Sequence, residues 1–232
     1  MSLLFNNLIS TVTVFDGDVL RNIKAVRDIK PLCDDLGETD ADFQVGDAVA
    51  AKGDSVVGDL LTRPFKYGTA VAYPFIKDIW QHTRFSDGTE FGVWYGSLEL
   101  ETTIYESVYH WRRFVVNSFP KERQVVGERI VFKALCQGIL VSLLDKETVA
   151  PELLHPSDYS FSNAVGKYMR DQNQNGLLVK SARCSGINAA IFTEKVLSNV
   201  RDHFFLSYIF SPADGGPVRV ERARGEQILA VQ

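Results

Sequence analysis

Cysteine is scarce in this chain of 232 residues. Cys33, Cys136 and Cys184 are odd in number, widely spaced and nowhere arranged as Cys-x-x-Cys. A disulfide framework would want an even set and a thiolate zinc site clustered ligands, so the three read as reduced structural thiols. Histidine is equally sparse: His82, His110, His155 and His203 lie far apart and show no metal-ligand spacing. No apolar run approaches the ~20 residues that a membrane helix needs. The apolar start lacks a basic leader and a small-residue cleavage site, which makes the cytoplasm the expected location. Charge of one sign is also lacking. A net charge of −4 and a pI near 5.6 argue against sustained contact with nucleic acid, although a small anion needs only two or three local arginines. Neither common glycine-rich phosphate loop is present, nor is the Gly-x-Ser-x-Gly elbow of a nucleophilic serine.

What is present fits a globular chain. Hydrophobic residues make up 45% and charged residues 23%, so disorder over most of the length is not expected. The length suits one domain with a sizeable core, or one domain plus an extension. Val19, Leu20, Ile23, Val26 and Ile29 recur at a helical period, with Asp16 or Asp18 as a candidate cap. From Cys33 to Asp59 the acidic Asp34, Asp35, Glu38, Asp40, Asp42, Asp47, Asp54 and Asp59 are opposed only by Lys52, which reads as a solvated linker or a surface for a basic partner. Residues 1–59 are accordingly expected to form a partly helical N-terminal extension, and residues 60–232 the main domain.

Within the main domain, Leu100, Ile104, Val108, Trp111 and Val115 share one face of a helix expected over 98–116, with Ser97 as its N-cap. Strands are expected at 129–135 and 139–144, joined by a turn at Gln137-Gly138. A short helix at 159–171 precedes strands at 177–179 and 187–192, and more strand follows at 203–210, 218–222 and 227–231. Helices and strands mix without regular βαβ alternation, so the expected class is α+β.

One constellation carries chemical information. Arg84, Tyr95 and Glu106 are spaced eleven residues apart; Tyr95 opens Tyr-Gly-Ser, and Glu106 precedes His110 by one helical turn. Further on stand Gly176-Leu-Leu-Val-Lys-Ser-Ala-Arg183 and Gly186-Ile-Asn-Ala-Ala-Ile-Phe192. Taken together over roughly residues 60–232, these segments resemble the RES family, named for its Arg, Glu and Ser residues. Ser181 stands where that family has its serine, and Arg63 resembles a second family arginine. Pro64 follows Arg63 where family members often carry an aromatic, which makes Phe65 or Tyr67 the candidate substitute.

The resemblance implies a mixed sheet with flanking helices like that of ADP-ribosyltransferases, and a toxin-type enzyme that destroys NAD while an antitoxin covers its active site. It casts Glu106, Arg84, Tyr95 and Ser181 as catalytic residues, and Arg63, Tyr67, Arg183 and His110 as substrate-binding ones. NAD would be substrate, not cofactor, with inorganic phosphate as a candidate co-substrate, and no metal is implied. In NAD the nicotinamide leaves as a neutral base, so one carboxylate can suffice where ordinary glycosidases use two. Glu106 would stabilise the developing oxocarbenium charge, and Arg84 would clamp the pyrophosphate bidentately. Tyr95 would stack on nicotinamide or bond the ribose, and Ser181 would bond the ribose or the carboxylate. Phosphorolysis and hydrolysis remain open, as do ADP-ribosyl transfer to a protein, an inactive nucleotide-binding module and a homodimer.

Overall fold

The longest strand, β3 (Val125–Ser142), organises the molecule because its two edges lead in different directions. A computed structural model describes residues 2–25, 67–223 and 225–232. Helix α1 (Ser2–Leu8) precedes strand β1 (Val12–Lys24), which pairs antiparallel along β3 over its whole length. After α2 (Tyr67–Ala72) come β2 (Trp94–Ser97), α3 (Leu100–Ser118), β3 and α4 (Ser160–Asp171). Strands β4 (Gly176–Lys180), β5 (Ile187–Ile191), β6 (Leu197–Phe210), β7 (Val218–Ala223) and β8 (Glu226–Val231) complete the chain. The eight strands form one sheet in the order β1-β2-β5-β4-β3-β6-β7-β8, and β1 pairs with β3 as well. Strands β1, β2, β5, β4 and β3 therefore close a ring, from which β6, β7 and β8 extend. Among the described strands, only β3 and β4 run parallel. This mixed sheet with a few helices is the expected α+β class.

Three local expectations are corrected. The helix read through Val19, Leu20 and Ile23 is strand β1. Val19 packs with Trp94 and Phe132, and its neighbour Leu20 packs with Ile104 and Val131 in a different cluster. Adjacent residues entering separate cores mark a strand buried on both faces, where apolar spacing no longer reports the period. Asp16 and Asp18 cap nothing. Asp16 accepts from Gln137 Nε2 at 3.2 Å, and Asp18 meets Arg201 Nη2 at 2.5 Å. This part of the N-terminal segment is thus built into the sheet rather than appended to it. Val26, Ile29, Cys33 and the acidic 34–59 stretch lie outside the described residues.

The turn expected at Gln137-Gly138 does not form either. Both continue β3, opposite Asp16 and Phe15 of β1. A two-residue hairpin needs left-handed backbone, and Gly138 is not in that region.

Helix α3 forms nearly where its apolar stripe predicts, with Ile104, Val108 and Val115 buried. Its N-cap is Glu99, not Ser97; Ser97 ends β2 and turns its hydroxyl elsewhere. The apolar face of α3 lies against Leu20, Val131, Leu206 and Tyr208. Helix α4 packs Val165 and Met169 against Phe85, Leu153 and Phe5 of α1. The segment between these two helices and the β4–β5 connection is where the chemistry-bearing residues gather.

Candidate functional site

Glu106 projects from the middle of α3 towards the end of the β4–β5 pair. Its Oε1 accepts two hydrogen bonds, from Ser181 Oγ at 2.6 Å and from Asn188 Nδ2 at 2.6 Å. Among the described residues no protein donor is seated on Oε2. Ser181 is held by its surroundings: its backbone N–H donates to Gly186 O at 2.8 Å, and its hydroxyl accepts from Arg183 N at 3.0 Å. This loop lies tight against the first turn of α3. A Cβ at Gly186 would stand 1.7 Å from Thr102 Oγ1, so only glycine allows the approach.

Arg84 sits in a tight loop before β2, where Thr83 N–H donates to Ser86 O at 2.7 Å. It is 5% exposed. Backbone carbonyls hold it, since Nη1 donates to Leu153 O at 3.1 Å and to His155 O at 2.9 Å. Its guanidinium also lies 4.5 Å from the centre of the Tyr159 ring. Nη2 is buried and has no hydrogen-bond partner among the described residues. A buried donor without an acceptor is costly, so this nitrogen is suited to an incoming anion.

Arg183 meets the same tyrosine at its hydroxyl. Its Nη2 donates to Tyr159 OH at 3.1 Å and makes a short contact with Pro156 O, and its guanidinium stands 3.4 Å from the Tyr109 ring centre. Buried Arg183 Nε is likewise without a partner among the described residues. Both arginines are therefore oriented by one loop, 153–156, through its carbonyls.

Tyr95 of β2 completes the group. Loss of solvent pushes its phenol well above the usual value and the Glu106 carboxylate adds to this; Arg84 and a side-chain hydrogen bond from Asn188 act in opposition. The phenol is thus neutral and able to donate. His110, one turn after Glu106, is held below the usual imidazole value by loss of solvation and by Arg183, Arg113 and Arg84, against the pull of Glu106.

Six residues named from sequence thus come together: Arg84, Tyr95, Glu106, His110, Ser181 and Arg183. Arg63 and the side chain of Tyr67 lie outside the described residues. Sequence reasoning missed Asn188, Tyr159 and Tyr109, and gave Ser97 of Tyr-Gly-Ser only the part of a helix cap. Asn188 left a signal, a lone amide inside the apolar strand Ile187–Ile191. The carbonyls that hold Arg84 left none, because any residue type supplies them.

Among the described residues, the site carries two guanidinium groups with unspent donors, a carboxylate with one uncommitted oxygen, and a neutral phenol. Such a set can bind a phosphate-bearing ligand and stabilise positive charge developing beside it. Among the described residues, no helix is long and apolar enough to cross a membrane.

Comparison with known proteins gives three findings. No curated protein matches the chain. One solved structure similar to it is a chain of the M. tuberculosis MbcT-MbcA toxin-antitoxin complex, at 13% identity and a TM-score of 0.48, covering 90% of this chain and 93% of that one. The family model of the RES domain matches residues 56–210, more than half of the chain and all six of the assembled residues. The chain belongs to the RES domain family.

Proposed function

We propose that this protein is a toxin-type enzyme that cleaves the nicotinamide–ribose bond of NAD. The observation that carries the reading is the Glu106 carboxylate, fixed through one oxygen by Ser181 and Asn188 while its other oxygen takes no donor among the described residues. Nicotinamide leaves without needing a proton, so bond breaking asks mainly for stabilisation of the cationic ribosyl group. Glu106 Oε2 supplies the negative charge. Tyr95, kept neutral by its surroundings, donates to the ribose or stacks on the departing ring. Arg84 presents its buried Nη2 to the pyrophosphate.

The acceptor of the ribosyl group is, in this reading, inorganic phosphate. Arg183 supports it: its Nε is buried and has no partner among the described residues, and its Nη2 bonds the Tyr159 hydroxyl, which gives the site a second place for an anion. We extend the proposal to a protein antitoxin seated over the site, and to action in the cytoplasm where the NAD pool lies. NAD incubated with the purified protein is expected to release free nicotinamide, faster with added phosphate and with ADP-ribose 1″-phosphate as product. Nicotinamide release indifferent to phosphate, with ADP-ribose as product, would leave hydrolysis in its place. NAD that survives intact overturns the reading.

A further inference from the structure

We propose that Ser97 and Asn188 form a buried relay that positions the Glu106 carboxylate and decides which of its oxygens faces the substrate. The proposal rests on the role given to Glu106 above, and adds two positioning residues to it. The register of β2 against β5 sets Ser97 directly opposite Asn188. Both side chains are shut away from solvent, Ser97 at 1% exposure and Asn188 at 0%. Ser97 Oγ donates to Asn188 Oδ1 at 2.7 Å, and Asn188 Nδ2 donates to Glu106 Oε1 at 2.6 Å.

An asparagine amide has an accepting end and a donating end. With its oxygen engaged by the Ser97 hydroxyl, the donating end faces the carboxylate. The reverse orientation would bring the amide oxygen to about the same 2.6 Å from Glu106 Oε1, acceptor against acceptor. The acceptor-only carboxylate sets the sense of the amide, and Ser97 acts on Glu106 without touching it by holding that amide in place. Ser181 donates to the same Oε1, so two hydroxyl or amide donors converge on one oxygen and fix rotation about the terminal bond of a long helix side chain. An apolar pair would fill this interior position, on the sheet face it shares with Tyr95 and Ala190, without any buried polar atoms to satisfy. What the polar pair gains is aim at Glu106.

The test combines steady-state nicotinamide release by the full chain with a measurement that needs no turnover. Ser97→Ala is expected to lower kcat about tenfold and Asn188→Ala about a hundredfold, with KM for NAD changed less than about threefold, as misplacement of a reacting group predicts. Because Ser97 acts through Asn188, the double variant is expected to be no slower than Asn188→Ala alone. Multiplying effects, or a Ser97→Ala enzyme with wild-type kcat, overturns the relay. Side-chain amide NMR supplies the second readout. The Asn188 NH2 protons are expected to be protected from solvent exchange in the wild-type protein and to lose protection in Ser97→Ala. Rapid exchange in the wild type overturns the relay whatever the activity. If the wild type releases no nicotinamide, the activity assignment fails, and the amide protection alone decides the relay.

Discussion

A glutamate in mid-helix ordinarily faces water and bonds its own helix for a few tenths of a kcal/mol. Glu106 instead reaches across to two other segments, and its removal would leave Ser181 and the buried Asn188 with donors facing empty space. Glu106→Ala is expected to lower nicotinamide release by about 10²–10³-fold or more, the scale for losing one preorganised charge-stabilising group. Circular dichroism of the variant should match wild type; normal turnover in a folded variant contradicts the role. Arg84 invites a subtler substitution, since alanine would orphan the carbonyls of Leu153 and His155. Arg84→Lys keeps the charge and loses the planar fork. We expect KM for NAD to rise about 10–100-fold, corresponding to a charge-assisted contact of ~1.5–3 kcal/mol, with a smaller change in kcat. An unchanged KM would assign Arg84 to holding the loop and not the ligand. These residues were legible because side-chain chemistry is written in the sequence. Asn188 was visible as an amide among aliphatics, whereas the partners of Arg84 are backbone atoms and carry no residue signature.

At the scale of elements, the arginine loop depends on how closely α4 can lie on it. A Cβ at Gly166 would fall 2.0 Å from Phe85 O, inside any permissible contact. Three residues earlier on the same helix, Asn163 Nδ2 donates to Thr83 O at 2.9 Å and Arg84 O at 2.8 Å. Pushing α4 outward would pull on these bonds and tilt Arg84. Gly166→Ala is expected to destabilise by about 1–3 kcal/mol, read as roughly 2–4 °C in Tm per kcal/mol for a chain of this size, and to raise KM for NAD. A variant with unaltered Tm and KM would mean that α4 is free to move away from the loop. Sequence pattern served unevenly here. Helix α3 was readable because one of its faces is buried and the other is not, so its apolar residues keep the helical period. Strand β1 was misread because Val19 and Leu20 enter different cores, which erases alternation. The false turn at Gln137-Gly138 had the same origin: a polar–glycine pair suggests a reversal, but β1 pairs straight through it.

For the molecule as a whole, the family match and the sheet have different limits. The match covers residues 56–210, but β1 lies before it and β7 and β8 after it. Long-range pairing, not local pattern, makes β1 part of the fold. It closes the ring by pairing with β2 at Leu20–Ser97 while running along β3. It also brings Val19 into the interior at 0% exposure. Arg21, 8% exposed, donates to Tyr95 O at 3.1 Å and Tyr73 OH at 2.8 Å, which ties the strand to the backbone of the site. Deleting residues 1–25 would leave the β3 edge unpaired, expose Phe132 and Ala134, and remove the donor to Tyr95 O. Unpaired edges of this length invite association between chains. The shortened protein is expected to lose cooperative thermal unfolding and to accumulate in the insoluble fraction, with solubility and calorimetry as the measurements. A deletion variant that stays monomeric and melts cooperatively within a few degrees of the full chain would show that the RES core is closed without β1. The strand would then be an ornament on the sheet. The burial of Val19 and the hold of Arg21 on the Tyr95 carbonyl argue that it is structural.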